Sequence, residues 1–188
     1  MNELHSAEAA LRALRPVLRG ITGDDLYRPT PCPGFHLSAL ADHLVGTITL
    51  VGDAAGAEDT TSDDQSIEAR VTAATNTVID AWRRRGTDGE AVFAGRVMPA
   101  RLALGVLSLE LVVHGWDFAQ ALTRPLPIAA AHADFVLDLA RHIITPDSRR
   151  TAGFDEPVPV TTDAAALDRL VAHTGRYPHT SHSHPTDS

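Results

Sequence analysis

From Pro99 to about Thr123 the chain reads as one helix that is apolar nearly all the way round. Ala103, Val106, Leu107, Val113 and Ala121 share one face, while Leu104, Leu111 and Val112 point to other sides. A helix with no polar face cannot lie on a surface; it is central to a bundle or it also meets a partner subunit. Two exceptions interrupt the pattern. Glu110 and His114 stand four residues apart on the first face, which places them roughly 40° from each other around the axis, on adjacent turns. A lone carboxylate among Leu and Val must protonate or find a cation or donor, because burying it charged and unpartnered is costly.

The rest of the chain supplies helices to surround this one. Leu4, Leu11, Leu14 and Leu18 recur at helical spacing over residues 4–19, with Pro16 tightening or kinking the end. Asp24 to Gly34 holds Pro29, Pro31 and Pro33 in alternation and reads as an ordered connection into a second helix over about 37–55. An acidic, Thr- and Ser-rich stretch from Glu58 to Asp64 is expected to be a mobile loop before a third helix, Ser66 to Arg85, that Gly86 stops. Val92, Phe93, Val97 and Met98 between glycines predict an extended excursion or a long crossover, and Pro99 suits the first position of helix four. A fifth helix is expected from Ala129 to Ile144 and a short last one from Ala164 to Ala172. Between them the chain reads as irregular, with Pro157-Val158-Pro159-Val160 extended against the bundle. The reading is all-α: a four-helix bundle with an additional short C-terminal helix over residues 1–172, then a disordered His/Ser/Thr/Pro tail over 173–188.

Composition narrows the function. A net charge of −8, with basic residues clustered only locally, at Arg83-Arg84-Arg85 and Arg149-Arg150, gives no stripe to follow a phosphate backbone, so nucleic acid is not an expected partner. Cys32 is the single cysteine, which excludes an intramolecular disulfide and a Cys-based zinc cage. The first helix lacks a signal-type apolar core, and the run Leu102 to Val113 is short for a bilayer, so a cytoplasmic protein without a membrane partner is expected.

A third polar group joins the pair in helix four. His43 lies on a face of helix two made by Ala39, Leu40, Thr47 and Leu50. Facing helices of a bundle can aim such side chains at one point, and two imidazoles with one carboxylate suit Zn²⁺ first, with Ni²⁺, Mn²⁺ or Fe²⁺ as alternatives. Asp117, seven residues after Glu110, shares its face and is placed to orient His114 from behind. His36 reads as a solvent-facing residue at the start of helix two, Trp116 as packing, and Cys32 as a structural cysteine. His173, His179, His182 and His184 belong to the expected tail and lack the supporting groups a built site needs.

These residues fall in two recognisable segments. Pro29-Thr30-Pro31-Cys32-Pro33-Gly34-Phe35 followed by Asp42-His43-Leu44-Val45, and Glu110-Leu111-Val112-Val113-His114-Gly115-Trp116-Asp117, resemble the corresponding motifs of DinB/YfiT-like proteins related to the N-terminal domain of mycothiol-dependent maleylpyruvate isomerase. Phe154 to Pro178 resembles the end of the compact actinobacterial members. The resemblance implies a DinB-like bundle that binds a divalent metal through His43, Glu110 and His114, with mycothiol as a thiol cosubstrate.

Three functional expectations follow. The first is a metal-dependent thiol transferase or hydrolase acting on a small-molecule substrate. The second is a non-catalytic, metal-stabilised binding or stress-response module, dimeric through the spare apolar faces of helix four. The third is a metal-free core in which Glu110 hydrogen-bonds His43 and His114.

Overall fold

A computed structural model describes residues 1–58 and 66–178. The element order is α1 (Glu3–Leu18), α2 (Leu37–Asp53), α3 (Ile67–Arg85), the strands β1 (Glu90–Phe93) and β2 (Arg96–Pro99), α4 (Ala100–Ala121), α5 (Ala130–Ile143), α6 (Pro146–Ala152) and α7 (Ala166–His173). Most of the acidic stretch expected to be a mobile loop, and residues 179–188 of the expected tail, lie outside the described residues.

Local signals set the helix ends. Asn2 caps α1 through its side-chain oxygen, which accepts from the His5 N–H at 2.9 Å, and Ser66 does the same for α3 at Ala69. α1 passes through Pro16 and stops two residues later, where the missing proline N–H leaves little helix to disturb. His36 caps α2, its Nδ1 accepting from the Ala39 N–H at 3.3 Å. That fits its expected place at the start of helix two, with the ring nitrogen serving as the cap. The extended alternative holds for Glu90–Pro99, where Ala94 and Gly95, both at positive φ, make a two-residue turn. Pro99 sits one position earlier than expected, as the residue preceding the first turn of α4.

The first four helices close a ring in which α1 and α2 each pack against both α3 and α4. α5 then lies on the outer side of α4, and α7 lies on α5. This layering answers the question posed by the all-apolar helix. Of the 22 residues of α4, every one from Ala103 to Ala119 is buried. Its second apolar side is covered by the chain's own α5 rather than by another subunit. α4 is also long and apolar enough to cross a membrane, which corrects the expectation from the shorter run Leu102 to Val113; 89% of its apolar window is buried inside the fold.

Two parts of the irregular C-terminal region are structured. Thr145 accepts from the Ser148 N–H while the Ser148 hydroxyl accepts from the Thr145 N–H, and with Pro146 at the first position they start α6, which composition alone did not reveal. Residues 173–178 do not form a free tail: His173 ends α7, and Thr174 and Arg176 are buried. The physical reason lies in α4, where buried Asp117 takes Arg176 as its cation.

α2 approaches α3 closely at Gly52, where an added Cβ would stand 2.8 Å from Val78 Cγ2. Gly52→Ala is expected to cost about 1–3 kcal/mol in urea unfolding, as overpacking does. Combined with Val78→Ala, the loss should be smaller than the sum of the single losses; additive losses would contradict the close approach.

Candidate metal centre

Two helices supply the side chains of the site. His43 comes from the middle of α2, and Glu110, His114 and Asp117 from successive turns of α4. The proline-rich connection is fastened by Thr30, whose hydroxyl donates to the Phe35 carbonyl at 2.9 Å while its N–H donates to the same oxygen. That closure sets the Phe35 ring 5.1 Å from the His43 ring, limiting where the imidazole can turn.

The three expected ligands come together. His114 Nε2 is 3.1 Å and His43 Nε2 3.9 Å from the same oxygen, Glu110 Oε2, and one ligand atom from each residue lies within 4.8 Å of the others. The two imidazoles stand edge to face with centroids 5.1 Å apart. Glu110 Oε2 is buried and no described donor is well aligned on it; protonated His114 reaches it at 3.1 Å as an ion pair that helps hold the carboxylate ionised, while His43 at 3.9 Å is beyond hydrogen-bond reach. Of the third expectation, a core in which Glu110 hydrogen-bonds both imidazoles, the His114 half is present as a 3.1 Å contact, whereas His43 at 3.9 Å is too far to bond Glu110. A cation between the three lone pairs would satisfy them together.

Behind His114 the contacts differ in kind. Asp117 Oδ2 lies 3.0 Å from His114 Nδ1, so the ionised carboxylate accepts from that N–H. Arg176 Nη2 donates to Asp117 Oδ2 at 2.8 Å and Arg176 Nε to Oδ1 at 3.2 Å, a forked pair. A second cluster, Cys32, His114 and Asp117, also meets the same separation. Its carboxylate and its His114 nitrogen are already bonded, whereas the first cluster keeps an unsatisfied oxygen.

The family model of the mycothiol maleylpyruvate isomerase N-terminal domain matches residues 7–119, more than half of the chain. The chain belongs to this family. The matched residues include His43, Glu110, His114 and Asp117 and end before α5. Uncharacterized proteins from two strains of Mycobacterium tuberculosis are each 25% identical over 179 residues, covering 94% of this chain and 98% of their own length, so the likeness extends past the family match into α5–α7. No solved structure matches the chain. As an all-α, DinB-like member of the family, the protein adds α5–α7 to the four-helix ring.

Electrostatics follow from burial and these partners. Burial works against an imidazolium at His114, but the Asp117 hydrogen bond and then the Glu110 contact push its pKa up to about 9. Burial likewise opposes the Glu110 and Asp117 carboxylates, yet His114, with Arg176 contributing to both, holds each below the usual range. His43 moves the other way: burial and the neighbouring His114 charge lower it, which keeps it in the neutral, lone-pair form. Burial pushes the Cys32 thiol up to about 11, so it is protonated at neutral pH.

Arg176 is the site residue that sequence reading missed, having been assigned to the tail. The available signal was Asp117, a second carboxylate in a helix with no Arg or Lys between Ala103 and Ala121.

Without divalent ions, a His114 proton bound more tightly in the folded chain than in the unfolded one stabilises the fold fully below about pH 6.5, and that contribution is lost as pH rises through about 9. With chelator present, the urea midpoint is expected to fall across that window in the parent chain and not in His114→Gln. A flat parent profile would contradict the assignment.

Proposed function

We propose that the protein is a divalent-metal-dependent enzyme, a thiol transferase or hydrolase, that uses His43, Glu110 and His114 as its metal ligands. The observation that supports this reading is the convergence of one ligand atom each from His43, Glu110 and His114 to within 4.8 Å, around a buried Glu110 oxygen on which no described donor is well aligned. Three protein ligands leave room for a further group, the donor number typical of catalytic zinc sites. The His43 side chain is 40% exposed, which favours access from solvent on the α2 side over a closed structural sphere.

A divalent ion held there would supply Lewis acidity, lowering the pKa of a coordinated water or low-molecular-weight thiol toward neutrality. The chain's own residues do the rest. Glu110 and His114, 8% and 5% exposed, hold the inner side of the site away from bulk water. Phe35 restrains His43 on the outer side. Asp117 fixes His114 so that Nε2 faces Glu110. Protonated Cys32 is a poor nucleophile, which favours one brought by the cosubstrate or by water. Mycothiol is the thiol that the family's description names, and its assignment here rests on that kinship.

Elemental analysis of untagged protein truncated before His179 is expected to find about one divalent ion per chain, as a single three-residue centre holds. His43→Ala and His114→Ala are expected to abolish that stoichiometry, and its retention in either variant would overturn the ligand assignment. Adding mycothiol to Co²⁺-loaded protein separates the two activities: a new sulfur-to-cobalt charge-transfer band is expected of a thiol transferase, and its absence would favour the hydrolase.

A further inference from the structure

The last described turn of the chain is built around a residue that no side chain could replace. After α7 the Gly175 N–H donates to the Ala172 carbonyl and the Arg176 N–H to the Val171 carbonyl, each at 3.0 Å, which is the paired arrangement that ends a helix on a left-handed residue. Gly175 has φ +88°, and a Cβ there would stand 2.5 Å from Asp155 Cβ and 2.9 Å from the Asp155 carbonyl atoms. Both the backbone angle and the close approach demand glycine. The turn is fastened from behind by Arg149, which is buried and donates to the Asp155 carbonyl and, at 3.1 Å, to the His173 carbonyl. The Val158 N–H donates to the Ala172 carbonyl at 2.9 Å, tying the intervening segment to the same helix end.

What this assembly delivers is one guanidinium. Arg176 is 7% exposed and reaches fully buried Asp117 with both prongs of its fork, while Nη1 donates to the Thr174 carbonyl at 3.3 Å. Asp117 is bonded in turn to His114 Nδ1, whose other nitrogen faces Glu110. An unbroken series of polar contacts therefore joins the C-terminal turn to the centre.

We propose that Arg176 is a positioning residue for the metal centre, holding Asp117 so that His114 keeps the orientation and proton placement a ligand needs, and that the Gly175 turn serves to place it. This rests on the metal-ligand reading above. The fork restrains the carboxylate in plane and balances its charge, and a carboxylate so held fixes which nitrogen of His114 carries the proton. Lysine would keep the charge but not the planar fork.

The test is Co²⁺ titration of the full-length chain, followed by visible absorption, with folding checked by circular dichroism. Arg176→Gln is expected to weaken Co²⁺ binding about 10- to 100-fold, the range seen when such outer partners are lost, and to alter the ligand-field bands. Arg176→Lys should fall between the two, and Arg176→Gln should add little loss in a chain already carrying Asp117→Asn. Parent-like affinity and spectrum in folded Arg176→Gln would overturn the proposal, as would two losses that simply add. If Arg176→Gln does not fold, Arg176→Lys decides: parent-like affinity and spectrum would equally overturn it. Failure of the underlying reading looks different, because the parent chain would then bind no Co²⁺, or bind it undiminished in His114→Ala, and both readings would fall.

Discussion

Burial of ionisable groups along one side of α4 is the constraint on which the rest of the structure depends. Glu110, His114 and Asp117 occupy successive turns of a helix with no exposed face in its central stretch, so solvent cannot compensate them. Two carboxylates and one guanidinium leave one negative charge, and the His114 proton, bound up to about pH 9, restores neutrality in the metal-free fold. A divalent ion would displace that proton and leave one net positive charge for an anionic ligand to complete. The same groups that make the site costly to bury thus prepare it for a cation and then for an anion.

The fold makes this burial possible by layering. α1 and α2 cover one side of α4 and are themselves backed by α3, α5 covers another side, and α7 with its terminal turn rests on α5 and returns an arginine to the centre. His43 is the exception to the burial, and it lies on the side where the proline-rich connection approaches α2. The centre consequently has a buried inner wall and a more exposed outer one, the asymmetry on which the proposed catalytic reading rests.

Much of this was legible in the sequence because it is local. The apolar stripes of α1, α2, α3 and α5 and the all-round apolar character of α4 follow from the sequence pattern, and the meeting of His43 with the Glu110/His114 pair needs only two facing helices. Features that depend on distant partners were not legible. Arg176 looks like part of a polar tail until Asp117, 59 residues away, is seen beneath it. α6 is seven residues long, and its start depends on Ser148 standing where Glu or Gln more often serves. His36 was legible as the residue at the start of α2, and the structure adds that its Nδ1 makes the capping bond.

The centre assigned to His43, Glu110 and His114 competes with the neighbouring cluster of Cys32, His114 and Asp117, and the two differ in one element. X-ray absorption at the zinc edge, on untagged protein truncated before His179 and loaded with one equivalent of zinc, distinguishes them directly. A shell of nitrogen and oxygen at about 2.0–2.1 Å with imidazole outer scattering is the expected result. A sulfur scatterer at about 2.3 Å in thiol-free buffer would place the ion on Cys32 and contradict the assignment.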